Sequence, residues 1–249
     1  MDLLLNDVLK FRRSKIWTVI AMVPLIAVAI GAANYTGNSE QLSEDWRSYF
    51  SQVTLFYGLM FMTAGIAIIA SAAWRFEHRG HNWHTMLTST RSAGALIASK
   101  IAAITVATAA MQLALLATAL VGGWVLGLPG APPAELIGAA LLALVPAASV
   151  AAWQSFFSMV LRNFAGPVAI GILSSIVSFG VMASGATFAR FVLPPALLSD
   201  TLWLGSTSVG YANALNANTV FEVIVVSCLT CVAGWLASTL YLRRADIRL

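Results

Sequence analysis

The sequence predicts an all-α membrane protein, and two observations carry that prediction. Six apolar stretches are each near or above the ~20 residues that a helix needs to cross a hydrocarbon core. They cover residues 16–35, 52–74, 94–126, 136–161, 165–185 and 219–242. Segments 66–70 and 223–226 are apolar on every side, whereas a transmembrane barrel alternates apolar and polar residues. Backbone groups in lipid have no water to bond with, so these spans are expected to be helices.

Composition agrees with six spans and no soluble domain. Apolar residues make up 59% of the 249 residues and charged residues only 10%, and mean hydropathy is +0.83. The apolar segment after the charged N-terminal stretch is of full spanning length and is followed by no small-residue cleavage site. We therefore expect the first span to be retained and not removed as a signal peptide.

The basic residues lie almost entirely on one side of the predicted spans. Of the 14 Lys and Arg residues, twelve flank that side: Lys10, Arg12, Arg13, Lys15, Arg75, Arg79, Arg91, Lys100, Arg162, Arg243, Arg244 and Arg248. The other side has Arg47 and Arg190 beside six acidic residues. The positive-inside rule therefore predicts that both termini face the cytoplasm. The net charge of +4 is interpreted as topology and not as affinity for nucleic acid.

An amphipathic helix is predicted before the first span, within residues 1–15. Its apolar face carries Leu4, Leu5, Val8, Leu9 and Phe11, and its polar face carries Asp7, Lys10, Arg12 and Arg13. A basic amphipathic helix that leads into a span usually lies in the cytoplasmic interface of the membrane. Two compatible roles stay open: a lipid anchor, or an elbow helix that braces the bundle and meets a cytoplasmic partner.

Polar and proline residues inside the spans are few. Gln112, Gln154, Ser174 and Ser178 are candidate pathway-lining residues, although bonding between neighbouring helices is the favoured role because no strong charge accompanies them. Pro146 and Pro167 are each expected to kink a span. Outer loops are predicted over the segments 36–51 and 127–134.

Cysteine and histidine spacing does not favour a metal or redox centre. The two cysteines lie one turn apart in the middle of the sixth span, where packing is the expected role. The histidines at positions 78, 81 and 84 drift round a helix surface, with Glu77 the one carboxylate nearby. No metal site is predicted.

The segment between the fifth and sixth spans, residues 186–218, is too broken to cross the membrane and too apolar for a solvated loop. Pro194-Pro195 and Gly205 interrupt it, and Trp203 suits an interfacial anchor. We predict two short helices that dip into the outer leaflet as a re-entrant segment. The alternative is a surface loop that links the two spans.

The cytoplasmic loop over residues 75–92 is the one connection on that side with length enough for a task. Trp83, Met86 and Leu87 recur in it at helical spacing, which predicts a short helix with an apolar edge. Such an edge is expected to rest against headgroups or another protein.

The order of residues in this loop resembles the pattern of type-2 ABC exporter permeases. The resemblance rests on Glu77, Gly80, Trp83, Leu87, Arg91 and Lys100, together with six spans, an elbow helix and a re-entrant outer segment. The chain is most similar to small bacteriocin- and lantibiotic-immunity permeases and related drug-efflux permeases. The resemblance implies a coupling helix over residues 76–90, opened by Glu77 and docked in a cleft of a cytoplasmic ATPase. Its coupling residues would be Glu77, Arg79, Gly80, Trp83, Leu87 and Arg91.

The resemblance also implies partners and a place in the cell. ATP and Mg would be bound by separate ABC ATPase subunits, in two copies, because this chain has no Gly-x-x-x-x-Gly-Lys-Ser/Thr motif. The chain would hold no cofactor and would not be an enzyme. A second copy in a symmetric dimer or a sister permease would complete the pathway. Export of amphipathic peptides, drugs or lipid-like molecules across the bacterial inner membrane would follow, for resistance or immunity.

Two other classes of membrane protein fit the sequence less well. A secondary transporter or channel that does not use ATP usually has ionisable residues near the membrane midplane, whereas the acidic residues here lie near the span ends. A membrane enzyme needs a convergent catalytic set within the bilayer, and the spans contain none.

Overall fold

A computed structural model describes residues 3–12, 14–79, 92–208 and 213–246. Within these residues the regular structure is entirely helical. The helices are α1 (Leu3–Arg12), α2 (Ile16–Gly37), α3 (Trp46–Phe56), a π-helix (Tyr57–Phe61), α4 (Met62–Arg79), α5 (Ala93–Val125), α6 (Ala134–Leu142), α7 (Leu144–Val160), α8 (Ala165–Ala183), α9 (Ala189–Val192), α10 (Pro194–Leu202) and α11 (Ala217–Asp246).

Six helical stretches of the described chain are long and apolar enough to cross a membrane, as predicted. They are Ile16–Gly37, Trp46–Arg75, Ala93–Val125, Ala134–Val160, Ala165–Ala183 and Ala217–Arg244. The second and fourth spans form the centre, with 61% and 56% of their most apolar windows buried, against 17% for the sixth. The sixth span therefore lies at the periphery of the protomer.

The second span starts earlier than its hydropathy indicates. Asp45 caps α3, where its carboxylate accepts a hydrogen bond of 2.7 Å from the backbone N–H of Ser48. The prediction of a polar loop over residues 36–51 is therefore wrong for residues 46–51. Trp46 and Tyr49 in this first part of the helix are buried. The stretch is polar in sequence, but it packs into the bundle and belongs to the span.

The first and second spans pack with their backbones in close approach. A Cβ atom built on Gly31 would lie 2.5 Å from the Cα atom of Val53. No side chain fits in that space, so the glycine sets the distance between the two helices. Small residues serve this purpose in many helix pairs within membranes.

The π-helix in the second span is held by side chains from elsewhere in the fold. Ser199 donates to the carbonyl of Gly58 at 2.7 Å, and Ser175 donates to that of Leu59 at 2.6 Å. Trp203 Nε1 donates to the carbonyl of Thr54 at 3.0 Å. These donors satisfy carbonyls in the region where the α-helical ladder is interrupted. Trp203 is buried, so its prediction as an interfacial anchor is wrong.

The two prolines predicted to kink spans act differently. The fourth span breaks at Ala143, between α6 and α7, three residues before Pro146. Pro167 is the third residue of α8. A proline in the first turn removes no helical hydrogen bond, so the predicted kink at Pro167 is wrong.

Two short helices, α9 and α10, lie between the fifth and sixth spans. Arg190 of α9 contacts the carboxylate of Asp200 in α10 at 3.5 Å and that of Glu222 in the sixth span at 3.1 Å. Burial outweighs the opposing charge of Arg190 and raises the pKa of Asp200. Leu197 and Leu198 of α10 are buried within the bundle. The ion pairs therefore fix both short helices against the sixth span.

Candidate functional site

Four charged side chains meet where α1 lies against the ends of the second and third spans. This charge cluster consists of Asp7, Lys10, Glu77 and Lys100. Lys100 Nζ donates to Asp7 Oδ1 at 2.8 Å and to Glu77 Oε1 at 2.9 Å. Lys10 Nζ donates to Glu77 Oε1 at 2.8 Å and contacts Asp7 Oδ1 at 3.4 Å. Two carboxylates and two ammonium groups thus balance one another.

Helix geometry brings these residues together. The α4 helix continues beyond the apolar part of the second span to Arg79, which places Glu77 in its last turn. Lys100 lies two turns into α5, after Ser92 caps that helix through the backbone N–H of Ala95 at 3.3 Å. The cluster consequently lies at the base of the connection between the second and third spans.

The α1 helix turns its polar residue Asp7 inward. Asp7 and Phe11 are buried, whereas Leu5 and Leu9 are 52% and 45% exposed. Ser99 Oγ donates to Asp7 Oδ2 at 2.8 Å, so both carboxylate oxygens of Asp7 have donors. The exposed leucines form a continuous apolar side on α1, opposite the side that binds the bundle.

Burial makes the cluster sensitive to the loss of any one charge. Burial by itself raises the pKa values of Asp7 and Glu77, but the charge of Lys100, its hydrogen bonds and the further contacts with Ser99 and Lys10 outweigh it, so both pKa values are lowered. Burial opposes the charge on Lys10, yet the hydrogen bond from Lys10 to Glu77 and the two carboxylate charges raise its pKa. All three groups are therefore charged at neutral pH.

The cluster also reaches the fourth span through Trp74. Lys100 Nζ lies 5.7 Å from the ring centre of Trp74, within the range of a cation–π contact. Trp74 Nε1 donates to Ser155 Oγ at 2.9 Å. Four elements, α1 and the second, third and fourth spans, are thus joined at this end of the bundle.

Comparison with protein families identifies the chain. A family model described as ABC-2 family transporter protein matches residues 3–178, which is more than half of the chain and includes the whole charge cluster. The chain belongs to the ABC-2 transporter family. It is a multi-pass membrane permease component of an ABC-2 type transporter, a transport subunit without a catalytic domain. A search of curated proteins gives no significant match.

Family membership implies an ATPase partner for this ABC-2 permease. Of the residues predicted to couple the two subunits, Glu77 lies in the charge cluster, and Arg79 is the last residue of α4. The other four, Gly80, Trp83, Leu87 and Arg91, lie outside the described residues. The expectation that Glu77 opens a separate helix is wrong, because Glu77 lies inside α4 and its carboxylate pairs with Lys10 and Lys100.

Of the four candidate pathway-lining residues of the permease, Gln112 lies apart from the other three, which lie on the fourth and fifth spans. Gln112 is buried, and its Nε2 donates at 2.8 Å to a backbone carbonyl of the fourth span. Gln154 is buried against Gly171 of the fifth span. Ser174 donates to the carbonyl three residues earlier in its own helix, and Ser178 is buried one turn further on. Gln112 thus bonds two spans together, which is the role that the sequence favours for it.

The prediction that no span contains a strong charge is wrong at Lys100. Lys100 lies within the third span as well as in the cluster, whereas its position in the sequence indicates a residue flanking a loop. One feature of the sequence could have indicated the cluster. Two lysines and two carboxylates lie near the predicted ends of three helices, all on the same side of the membrane. In the described part of the chain, no three His, Cys, Asp or Glu residues group as metal ligands.

Proposed function

We propose that this permease is the membrane half of an ATP-driven exporter, and that the charge cluster transmits movement of the loop over residues 80–91 to α1 and to the spans. The supporting observation is the position of Glu77 and Lys100, which flank that loop and pair with each other at 2.9 Å. A force on the loop acts on the two helices that carry these residues. Since both bind α1, the three elements move together.

The loop itself is the proposed docking segment for the ATPase. Trp83 and Leu87 provide the apolar edge that enters the partner, and Arg79, Gly80 and Arg91 complete the contact. Aromatic anchors of this kind dominate the binding energy of many interfaces. Glu77 has a different role from the one that the resemblance implies: it anchors the base of the loop to the bundle and does not contact the ATPase.

The proposed orientation in the membrane rests on the charge distribution, and export is the direction that the resemblance implies. In the sequence, twelve of the 14 basic residues flank the spans on the side that carries the charge cluster, so by the positive-inside rule this side faces the cytoplasm. Two ATPase subunits bind ATP and Mg on this side. A second permease, either an identical copy or a sister chain, completes the pathway.

The proposed cargo is an amphipathic peptide, a drug or a lipid-like molecule, exported for resistance or self-protection. This proposal rests on the apolar character of the spans. Their polar side chains are few and mostly bonded within the bundle, so the pathway suits a molecule with apolar parts. The short helices α9 and α10 form the re-entrant outer segment that closes the pathway. Their ion pairs to the sixth span, through Arg190, give the closure a fixed position.

Reconstitution with and without the ATPase tests this function. Proteoliposomes that contain the permease with its ATPase should transport amphipathic peptide upon addition of ATP and Mg. Permease alone, or permease with a hydrolysis-deficient ATPase, should not. Trp83→Ala should reduce both ATPase binding and transport, while Trp124→Ala serves as the matched control, because Trp124 is 60% exposed at the other end of the bundle. Transport by the permease alone would contradict the proposal.

A further inference from the structure

A second polar feature lies near the charge cluster but faces a different group of helices. A cavity of about 320 Å³ is enclosed by the last turns of α4 and α7 and by the residues just before α8. Its volume falls at the lower end of the range for small-ligand sites, about 300–1,000 Å³. The cavity is separate from the cluster, whose four residues do not line it.

The lining of this cavity is basic. Arg75 and Arg162 contribute to it beside His78, and among the residues that the structure describes no carboxylate does. In the part of the chain that the structure describes, Arg75 and Arg162 form no ion pair with a carboxylate. Two guanidinium groups of like charge beside one cavity repel each other. An anion between them removes that repulsion, and guanidinium groups match phosphate in geometry.

The remaining polar groups add hydrogen-bonding capacity. Ser71 and Ser158 are buried, with their hydroxyl oxygens 3.4 Å apart. His78 Nε2 donates to the backbone carbonyl of Ser158 at 2.9 Å, which fixes its ring at the wall of the cavity. Asn163 Oδ1 accepts from the backbone N–H of Gly166 at 2.5 Å, which leaves the amide Nδ2 as a donor. The positive end of α8 begins beside these groups, and it also favours an anion.

The position of the cavity relates it to the membrane surface. The apolar stretches of the second and fourth spans end at Arg75 and Val160, and that of the fifth begins at Ala165, so the cavity lies where the apolar part of the bundle ends, the level at which lipid headgroups are expected. Phe164 is 40% exposed there, and Arg75 Cζ lies 5.9 Å from its ring centre. An apolar ring next to a basic cavity suits a molecule with a phosphate at one end and acyl chains at the other.

We propose that this cavity binds the phosphate headgroup of an anionic phospholipid from the leaflet at the basic end of the bundle. Arg75 and Arg162 hold the phosphate, the Asn163 amide orients it, and Phe164 contacts the start of an acyl chain. Basic pockets between transmembrane helices on the cytoplasmic side have the chemistry to bind anionic headgroups. The site is independent of the cargo and of the charge cluster.

Native mass spectrometry of the full chain, with phosphatidylglycerol or phosphatidylcholine added, tests the site. Wild type should retain phosphatidylglycerol in preference to phosphatidylcholine. The double variant Arg75→Gln/Arg162→Gln should bind phosphatidylglycerol at least tenfold more weakly, since loss of a single direct charge-assisted hydrogen bond to the phosphate weakens binding by roughly tenfold. Arg243→Gln/Arg244→Gln is the matched control, because it removes two exposed positive charges at the same end and should change binding less than twofold.

Equal losses in the two double variants would overturn the proposal, because they would show a general charge effect. Displacement of the lipid by millimolar inorganic phosphate would also overturn it, because the ligand would then be a free phosphate. So would loss of the lipid upon assembly with the ATPase, which would indicate that a protein surface fills the cavity. Arg75→Lys/Arg162→Lys, which keeps the charge but loses the bidentate geometry, should bind the lipid more weakly than wild type and more tightly than the glutamine variant. If the glutamine variant does not fold, this variant and lipid-specific thermal stabilisation of wild type decide the matter.

Discussion

Glu77 and Lys100 are 23 residues apart in the chain and form an ion pair of 2.9 Å at the base of the connection between the second and third spans. Each side chain is at most 5% exposed. Water therefore offers little compensation if one partner is lost, and the remaining charge stays buried. The relationship between these two residues leads to the first two predictions.

Loss of Lys100 is expected to cost more than loss of the whole pair. Lys100→Met leaves Glu77 and Asp7 with Lys10 as the one cation that contacts them among the described residues, and should lower the free energy of unfolding by about 3–5 kcal/mol. Lys100→Met/Glu77→Gln should recover part of that loss, because the uncompensated carboxylate is removed. Thermal unfolding of the purified variants in detergent measures both values. Additive losses in the double variant would show that the pair is not coupled.

The stabilisation that Glu77 provides should be lost in acid and should not change with pH around neutrality. The folded-state pKa of Glu77 lies below its ordinary value of 4.5, so its contribution is present above that value and is lost as the pH falls through the folded-state pKa. The Tm difference between wild type and Glu77→Gln should be constant from about pH 5 to about pH 9 and should shrink below about pH 4. Glu40→Gln, at an exposed carboxylate, should show no such difference. A gap that widens on acidification would contradict the ion pairs.

Length and hydropathy were enough to predict six spans and the two short helices before the sixth. They were not enough to place the start of the second span, because Arg47 and Gln52 are polar in sequence yet are bonded to Glu135 at 2.8 Å and to Ser208 at 2.9 Å. Hydropathy treats a polar residue as solvated, and only the fold provides its partner.

The charge cluster could not be predicted for the same physical reason. Asp7 and Lys100 are separated by 93 residues, and the count of lysines and carboxylates near the span ends does not specify which of them are in contact. Amphipathicity correctly indicated that α1 has an apolar side. It did not indicate that Asp7, on the other side, points into the bundle.

The close approach of the first two spans gives a third prediction. Gly31→Ala should lower stability by about 1–3 kcal/mol, because its Cβ would collide with the backbone of Val53 and force the helices apart. Gly37→Ala is the matched control in the same helix, since a Cβ there has no neighbour within 4 Å, and should change stability by less than about 0.5 kcal/mol. Unfolding of both variants, purified in detergent, measures these values. Equal effects of the two substitutions would mean that packing at Gly31 is loose.

Topology is tested by cysteine labelling in intact cells. In a background with Cys228 and Cys231 replaced, Glu40→Cys should react with a membrane-impermeant maleimide, and Ser92→Cys should be protected until the cells are opened. Both positions are exposed in the protein, so differences in burial cannot explain the result. Reaction of Ser92→Cys from outside would contradict a cytoplasmic location of the basic end.

The central claim is that the charge cluster couples the loop to the spans. The most direct test is the amount of cargo transported per ATP hydrolysed by the permease–ATPase complex in proteoliposomes. Glu77→Gln should lower this ratio at least fivefold while the complex still assembles and hydrolyses ATP. Glu135→Gln, which breaks the half-exposed pair with Arg47 at the opposite end of the bundle, should leave it within twofold of wild type. An unchanged ratio in Glu77→Gln, or an equal fall in both variants, would contradict the claim.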